Sequence, residues 1–140
     1  MEQPCPEHQL PDLSKLVVLV IDDDEDCREL LATLLEVRHA TVSRAGSAAE
    51  GLERVIQDQP SVVVSDIAMP GEDGYSFMRR LRSLPQEQGG ATPTIALTAF
   101  SQPRDRAEAV AAGFTCYLPK PVDLALLCEE IRRLGHRDLV

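Results

Sequence analysis

The segment Val17 to Asp26 reads VVLVIDDDED, in which a five-residue apolar run passes without a spacer into five consecutive carboxylates. A continuous β-branched and aliphatic run suits a strand buried on both faces, as a parallel sheet requires. The acids then stand at the carboxyl end of the strand, the edge at which open α/β sheets bind ligands. Two carboxylates about 4 Å apart repel by roughly 4 kcal/mol at an effective dielectric near 20, so a fold that gathers them normally gathers a cation with them. Mg2+, a hard cation that takes oxygen ligands, fits such a set. The same acids would also suit a solvated loop before a helix, since negative charge is favoured at a helix N-terminus.

Strand-like and helix-like segments alternate along the rest of the chain. Asp26 to Val37 places Cys27, Leu30, Leu31, Leu34 and Leu35 on one helical stripe. A short strand follows around Ala40 to Ala45, and then Ser47 and Glu50 supply a capping box for a helix with Ala49, Leu52, Val55 and Ile56 inward. Pro60 ends that unit. The run SVVVS, Ser61 to Ser65, reads as a buried strand that leads directly into Asp66, and the turn MPGEDG precedes a helix from Tyr75 to Leu84. Thr94 to Leu97 is the next strand and ends at Thr98. Ser101 and Pro103 open a helix that Gly113 closes. A last strand, Thr115 to Leu118, ends just before Lys120, and a final helix from Val122 to Leu134 carries Leu124, Leu127, Cys128 and Ile131 on one face before Gly135 stops it. Five β–α units with right-handed crossovers predict one doubly wound α/β domain, a five-stranded parallel sheet with five helices over both faces. The domain is expected over residues 16–134, with a flexible tail at 1–15 and a short one at 135–140.

Composition narrows the class. A chain of 140 residues is one ordinary domain, no apolar stretch reaches the length of a membrane span, and no leader-like basic and apolar start is present. A cytoplasmic location with no membrane contact is expected. The four cysteines, Cys5, Cys27, Cys116 and Cys128, form no CxxC pair and have no histidine at zinc-like spacing, so reduced structural thiols are expected. The formal charge of -9 and the lack of a basic cluster beyond Arg79, Arg80 and Arg82 or Arg132 and Arg133 argue against direct nucleic-acid binding. Of the 14 basic residues only Lys15 and Lys120 are lysine, and Lys120 stands in the sequence LPKP, a setting suited to a compact point charge.

Collected at strand ends, the polar residues converge. Asp22 and Asp23 follow the first strand, Asp66 the third, Thr98 the fourth and Lys120 the fifth, all at one edge of the predicted sheet. With the motifs VIDDDED, VVSDIAMPGEDGY, IALTAF and AGFTCYLPKP in this order, the chain from Leu16 to Leu134 resembles the receiver domain of two-component response regulators. The wording of the last three motifs is similar to receivers attached to hybrid histidine kinases. The resemblance implies a flavodoxin-like sheet of order 2-1-3-4-5.

It also implies site roles. Asp66 matches the phosphoacceptor, and a carboxylate is a usable nucleophile towards phosphorus once a cation screens its charge. Asp22 and Asp23 match the acidic pair for Mg2+, completed by Asp66 and the backbone carbonyl of Ala68. Thr98 and Lys120 match the groups that hold phosphoryl oxygens, an electrostatic role in phosphoryl transfer. Tyr117 matches the aromatic whose rotamer follows Thr98. The expected partners are a histidine kinase or histidine phosphotransfer domain and a downstream protein that the sequence does not identify. Such a domain is a signalling phosphoacceptor that promotes its own phosphorylation and dephosphorylation, not an ordinary enzyme. Asp24, Glu25 and Asp26 read as a helix-capping continuation. Two departures from the family pattern stand out: Ala68 replaces a side chain that is often polar, and Glu72 replaces one that is often apolar.

Three other readings carry less weight. A haloacid-dehalogenase-type phosphatase would want a second aspartate at the position of Ala68, and a dinucleotide-binding domain would want GxGxxG after the first strand, where acids stand instead. An inactive pseudo-receiver used for docking would not need all five signature residues. His8, His39 and His136 lack a helical phosphodonor context, and only residues 135–140 follow the last predicted helix, so neither kinase activity nor an effector domain is expected. The chain reads as a single-domain regulator or as a receiver cut from a hybrid kinase.

Overall fold

The computed structural model describes residues 12–67, 74–98 and 103–136. Its strands are β1 (Val17–Ile21), β2 (Thr41–Ala45), β3 (Val62–Asp66), β4 (Thr94–Thr98) and β5 (Cys116–Pro119). The helices are α1 (Glu25–Val37), α2 (Ala48–Asp58), α3 (Gly74–Arg82), α4 (Pro103–Ala112) and α5 (Leu124–His136). All strand pairs are parallel and the sheet order is β2-β1-β3-β4-β5, as expected from the sequence. Strands β3 and β4 are buried along their whole length, whereas the edge strand β2 buries only Ala45. The unbroken apolar runs therefore sit in the centre of the sheet and the polar strand TVSRA at its margin.

Alternation along the strands divides the core into two layers. Leu19, Ile21, Val63 and Ala96 pack against Leu52 and Val55 of α2, Phe77, Met78 and Leu81 of α3, and Ala109 of α4. On the other face Val18, Val20, Val62, Val64, Ile95, Leu97 and Leu118 pack against Leu35 of α1 and Leu127, Ile131 and Leu134 of α5. Fully burying one such side chain stabilises the fold by about 1.5–3 kcal/mol, so both layers contribute strongly.

Local chemistry sets the helix ends. Asp24 caps α1 by accepting the Cys27 amide, and Ser47 caps α2 by accepting the Glu50 amide. Glu50 reaches back to the amide of Gly46, one residue before the cap, and so closes the predicted box slightly early. Helix α2 ends on Gln59 in the left-handed region, with φ 48°, directly before Pro60. Helix α5 begins two residues later than expected because Asp123 caps it, taking the Leu126 amide on its side chain. The expected cap of α4, Ser101, lies outside the described residues.

Four expectations need correction. The stripe on α1 does not all face the sheet: Ala32 and Leu35 are buried, while Cys27 is exposed and Leu30 is 62% exposed. Ala32 and Leu35 take the sheet contact, Leu31 packs partly against that layer, and Cys27 and Leu30 turn outward. On α2 the inward positions are Ala48, Gly51, Leu52 and Val55, whereas Ala49 and Ile56 point out. Gly51 lets α2 lie against β1, since a Cβ there would come 2.6 Å from Ile21 Cδ1. Gly135 does not stop α5 but lies within it, where a Cβ would sit 2.9 Å from Leu16 Cδ2. The leader is tethered from its twelfth residue: Leu13 is fully buried, its amide donates to the Arg38 carbonyl at 2.7 Å, and Asp12 pairs with His39 at 3.0 Å.

At the amino ends of β4 and β5 the half-buried Arg82 guanidinium donates to the carbonyls of Gly90, Thr92 and Gly113 at 2.7–3.2 Å. It thereby ties two loops to the end of α3. Arg82→Met should lower the unfolding free energy by about 2–3 kcal/mol, because it leaves several acceptors without a donor. Urea denaturation followed by circular dichroism measures this, and an unchanged midpoint would refute the clamp.

Candidate functional site

The strand rows that build the core also deliver the polar residues. Val18 and Val20, Val62 and Val64, and Leu118 face the α1/α5 layer. Asp22, Asp66 and Lys120 continue those rows past the apolar stretch. Ala96 and Tyr117 face the α2–α4 layer, and Thr98 continues their row. Asp22 is 8% exposed, Asp66 9% and Thr98 1%, so the strand ends carry these groups into a largely dry edge.

Carboxylate oxygens of Asp22, Asp23 and Asp66 lie within 4.8 Å of one another. Lys120 Nζ donates to Asp66 Oδ2 at 2.9 Å, and the Lys120 amide donates to the Thr98 carbonyl at 2.7 Å. The Asp24 amide donates to Asp22 Oδ1 at 2.9 Å, and the Asp22 amide donates to Ala45 at 3.1 Å. A cis peptide joins Lys120 to Pro121.

Burial raises the carboxyl pKa of Asp22, and the charges of Asp66 and Asp23 add to it against the opposing Asp24 hydrogen bond and Lys120. Burial alone would lower the Lys120 ammonium; the hydrogen bond to Asp66 and the charges of Asp66 and Asp22 outweigh it, and the net shift is upward. Lys120 therefore stays charged and neutralises one of three gathered acids. The donor set is all oxygen, as Mg2+ prefers. Cys27, the neighbouring sulfur, is held above its ordinary pKa by desolvation and by the charges of Asp24 and Asp22.

The structure thus brings together Asp22, Asp23, Asp66, Thr98 and Lys120, each read from the sequence as a strand-end residue. Tyr117 is turned inward and is 8% exposed. Ala68 and Glu72 lie outside the described residues. Two features were not anticipated. The guanidinium of Arg28 reaches the main chain of Asp22, and the outward residues Cys27, Leu30 and Leu34 of α1 line an apolar groove of about 370 Å3 with Leu97, Pro121 and Val122 that opens beside Asp22 and Lys120.

Residues 18–132 match the response regulator receiver domain family. The chain belongs to that family. Among the relatives of this receiver is an uncharacterized 14.6 kDa protein of Leptolyngbya boryana, 44% identical over 111 residues that cover 79% of this chain and 83% of the relative. Response regulator MprA of Mycobacterium ulcerans is 38% identical over 86% of this chain, and the chain spans about half of its length. Among solved structures, the Francisella response regulator 1452 receiver domain superposes with a TM-score of 0.80 at 29% identity, covering 89% of this chain and 99% of that one. Chemotaxis protein CheY4 of Vibrio cholerae gives 0.78 at 28%, covering 85% and 98%. The receiver fold read from the motifs is therefore the fold of the family.

The raised carboxyl of Asp22 has a thermodynamic consequence. A carboxyl with a folded pKa above its unfolded value destabilises the fold in its charged form, fully at neutral pH and not at all below the unfolded pKa. In EDTA at pH 7, Asp22→Asn should raise the unfolding free energy by about 1–4 kcal/mol, because it removes a buried charge and a like-charge contact worth about 1 kcal/mol in water and about 4 at an effective dielectric near 20. The gain should vanish as pH falls through the range just above 4. Chemical denaturation at several pH values checks both the sign and the window.

Proposed function

We propose that this receiver accepts a phosphoryl group on Asp66 from a phosphohistidine of a histidine kinase or phosphotransfer protein, with Mg2+ held by Asp22, Asp23 and Asp66 and the carbonyl of Ala68. The observation that carries the reading is the convergence of three carboxylates within 4.8 Å of one another, one of which, Asp66, is already paired with Lys120. Mg2+, when bound, screens the negative charge that would otherwise keep a carboxylate from approaching a phosphoryl group. An Asp66 oxygen attacks phosphorus as the bond to the imidazole nitrogen breaks, and the imidazole leaves with its electron pair. Lys120 then exchanges its carboxylate partner for a phosphoryl oxygen, and the Thr98 hydroxyl donates to another. The same groups promote eventual hydrolysis, so phosphorylation and dephosphorylation are both the domain's own chemistry.

Release of Lys120 from Asp66 and recruitment of Thr98 would repack Tyr117 and the surface formed by α4, β5 and α5, a two-state element biased by a local charge. A downstream protein reads that surface. The donor approaches from the other side, covering the apolar groove of α1 that opens at Lys120. The free thiols Cys27, Cys116 and Cys128 fit a reducing, cytoplasmic setting, and among the described residues no helix is long and apolar enough to cross a membrane.

Incubation with acetyl phosphate and Mg2+ should add one phosphoryl group by intact mass, and Asp66→Asn should add none; labelling retained by that variant would refute the assignment. Leu30→Arg places a charge in the groove. It should slow transfer from a phosphorylated histidine partner about tenfold, or 1.4 kcal/mol, while labelling by acetyl phosphate stays at the parent rate. Equal loss with both donors would sink the groove as the donor face.

A further inference from the structure

One side chain outside the acidic cluster enters its main chain. Arg28, in the first turn of α1, has a side chain only 17% exposed and donates through Nη1 to the Asp22 carbonyl at 3.0 Å. Its own amide donates to the Asp24 carbonyl at 2.9 Å, so a single residue grips the stretch Asp22 to Asp24 from both ends. The remaining bonds of that stretch close it further: Asp24 donates to Asp22 Oδ1 and its own Oδ1 accepts Cys27. Asp23 lies between two fixed neighbours. The guanidinium is seated by Glu29, 3.5 Å from Nε, and Gly46 leaves room for it, since a Cβ there would lie 3.0 Å from Nη1. Arg44 bonds Glu29 at 2.9 Å and Glu36 at 3.1 Å and extends the brace to β2.

A cation beside a metal site, acting through charge alone, weakens metal binding. We propose that Arg28 is a positioning residue: by anchoring the Asp22 carbonyl it holds the Asp22 and Asp23 carboxylates in their converged arrangement before Mg2+ arrives, so that binding has less ordering to do. The inference rests on the Mg2+ reading above and adds a residue to it.

The test is calorimetric titration of Mg2+ into the parent, Arg28→Met, Arg28→Gln and Arg44→Met at fixed ionic strength, with thermal unfolding in EDTA beside it. Both Arg28 variants should bind Mg2+ about tenfold more weakly, the effect of losing an outer partner of a metal ligand. Arg44→Met removes the same charge from the same brace without touching Asp22 and should stay within about twofold of the parent. If Arg28→Met fails to fold, the shorter, polar and helix-compatible Arg28→Gln decides. Unchanged or tighter Mg2+ binding by a folded Arg28 variant overturns the proposal, including the case in which only the melting temperature falls. A parent that binds no Mg2+ sinks the metal reading and this one together, whereas a parent that binds as its Arg28 variants do sinks this one alone.

Discussion

Gathering three carboxylates at the edge of a hydrophobic sheet is unfavourable, and the arrangement of the strands is what makes it possible. β1 and β3 are neighbours at the centre of the sheet, in a register that pairs Ile21 with Ser65. Adjacent strands lie about 4.8 Å apart, so the next residues, Asp22 and Asp66, are brought into contact range by the ladder itself. The compensating cation comes from further away. β5 is two strands from β3, roughly 10 Å, and only a long side chain can cross that gap over the end of β4. Lysine has the length, and its single ammonium can leave one oxygen for another without breaking a two-pronged contact. The pair between Lys120 and Asp66 follows from sheet order and side-chain reach together.

Much of this was legible because the signals were redundant. The apolar runs VVLVI and SVVVS specify buried strands, and each runs into an acid, so strand and site residue were read from the same letters. Thr98 and Lys120 were found in the same way, by where their strands end. Alternation then assigns Thr98 and Tyr117 to one layer and Asp22, Asp66 and Lys120 to the other, a division that needs no knowledge of side-chain geometry.

What stayed hidden depends on contacts that a pattern of residue types does not record. Gly135 looked like a helix stop because glycine usually is one, yet its place is set by the approach of Leu16. The rotation of α1 is decided by which side chain takes the sheet contact, and a stripe of five apolar residues offers several choices. Arg82 and Arg28 act on main-chain carbonyls, which leave no trace in a pattern of residue types; an arginine four positions after a capping acid is the only hint for Arg28. Leu13 sits in a proline-flanked polar leader whose composition masks a core residue.

Among the described strands β5 is bonded to β4 alone, and its side chains reach both helical layers, Tyr117 on one face and Leu118 on the other. A central strand cannot shift without shearing ladders on both sides. A marginal one is held by a single ladder, which the main-chain bond from Lys120 to Thr98 extends past the end of β5. Tyr117, three residues before Lys120, belongs to the opposite layer, so displacement of this short segment is felt on both faces of the sheet. The sheet thus resembles a book whose outermost page is printed on both sides, Tyr117 facing one helical layer and Leu118 the other.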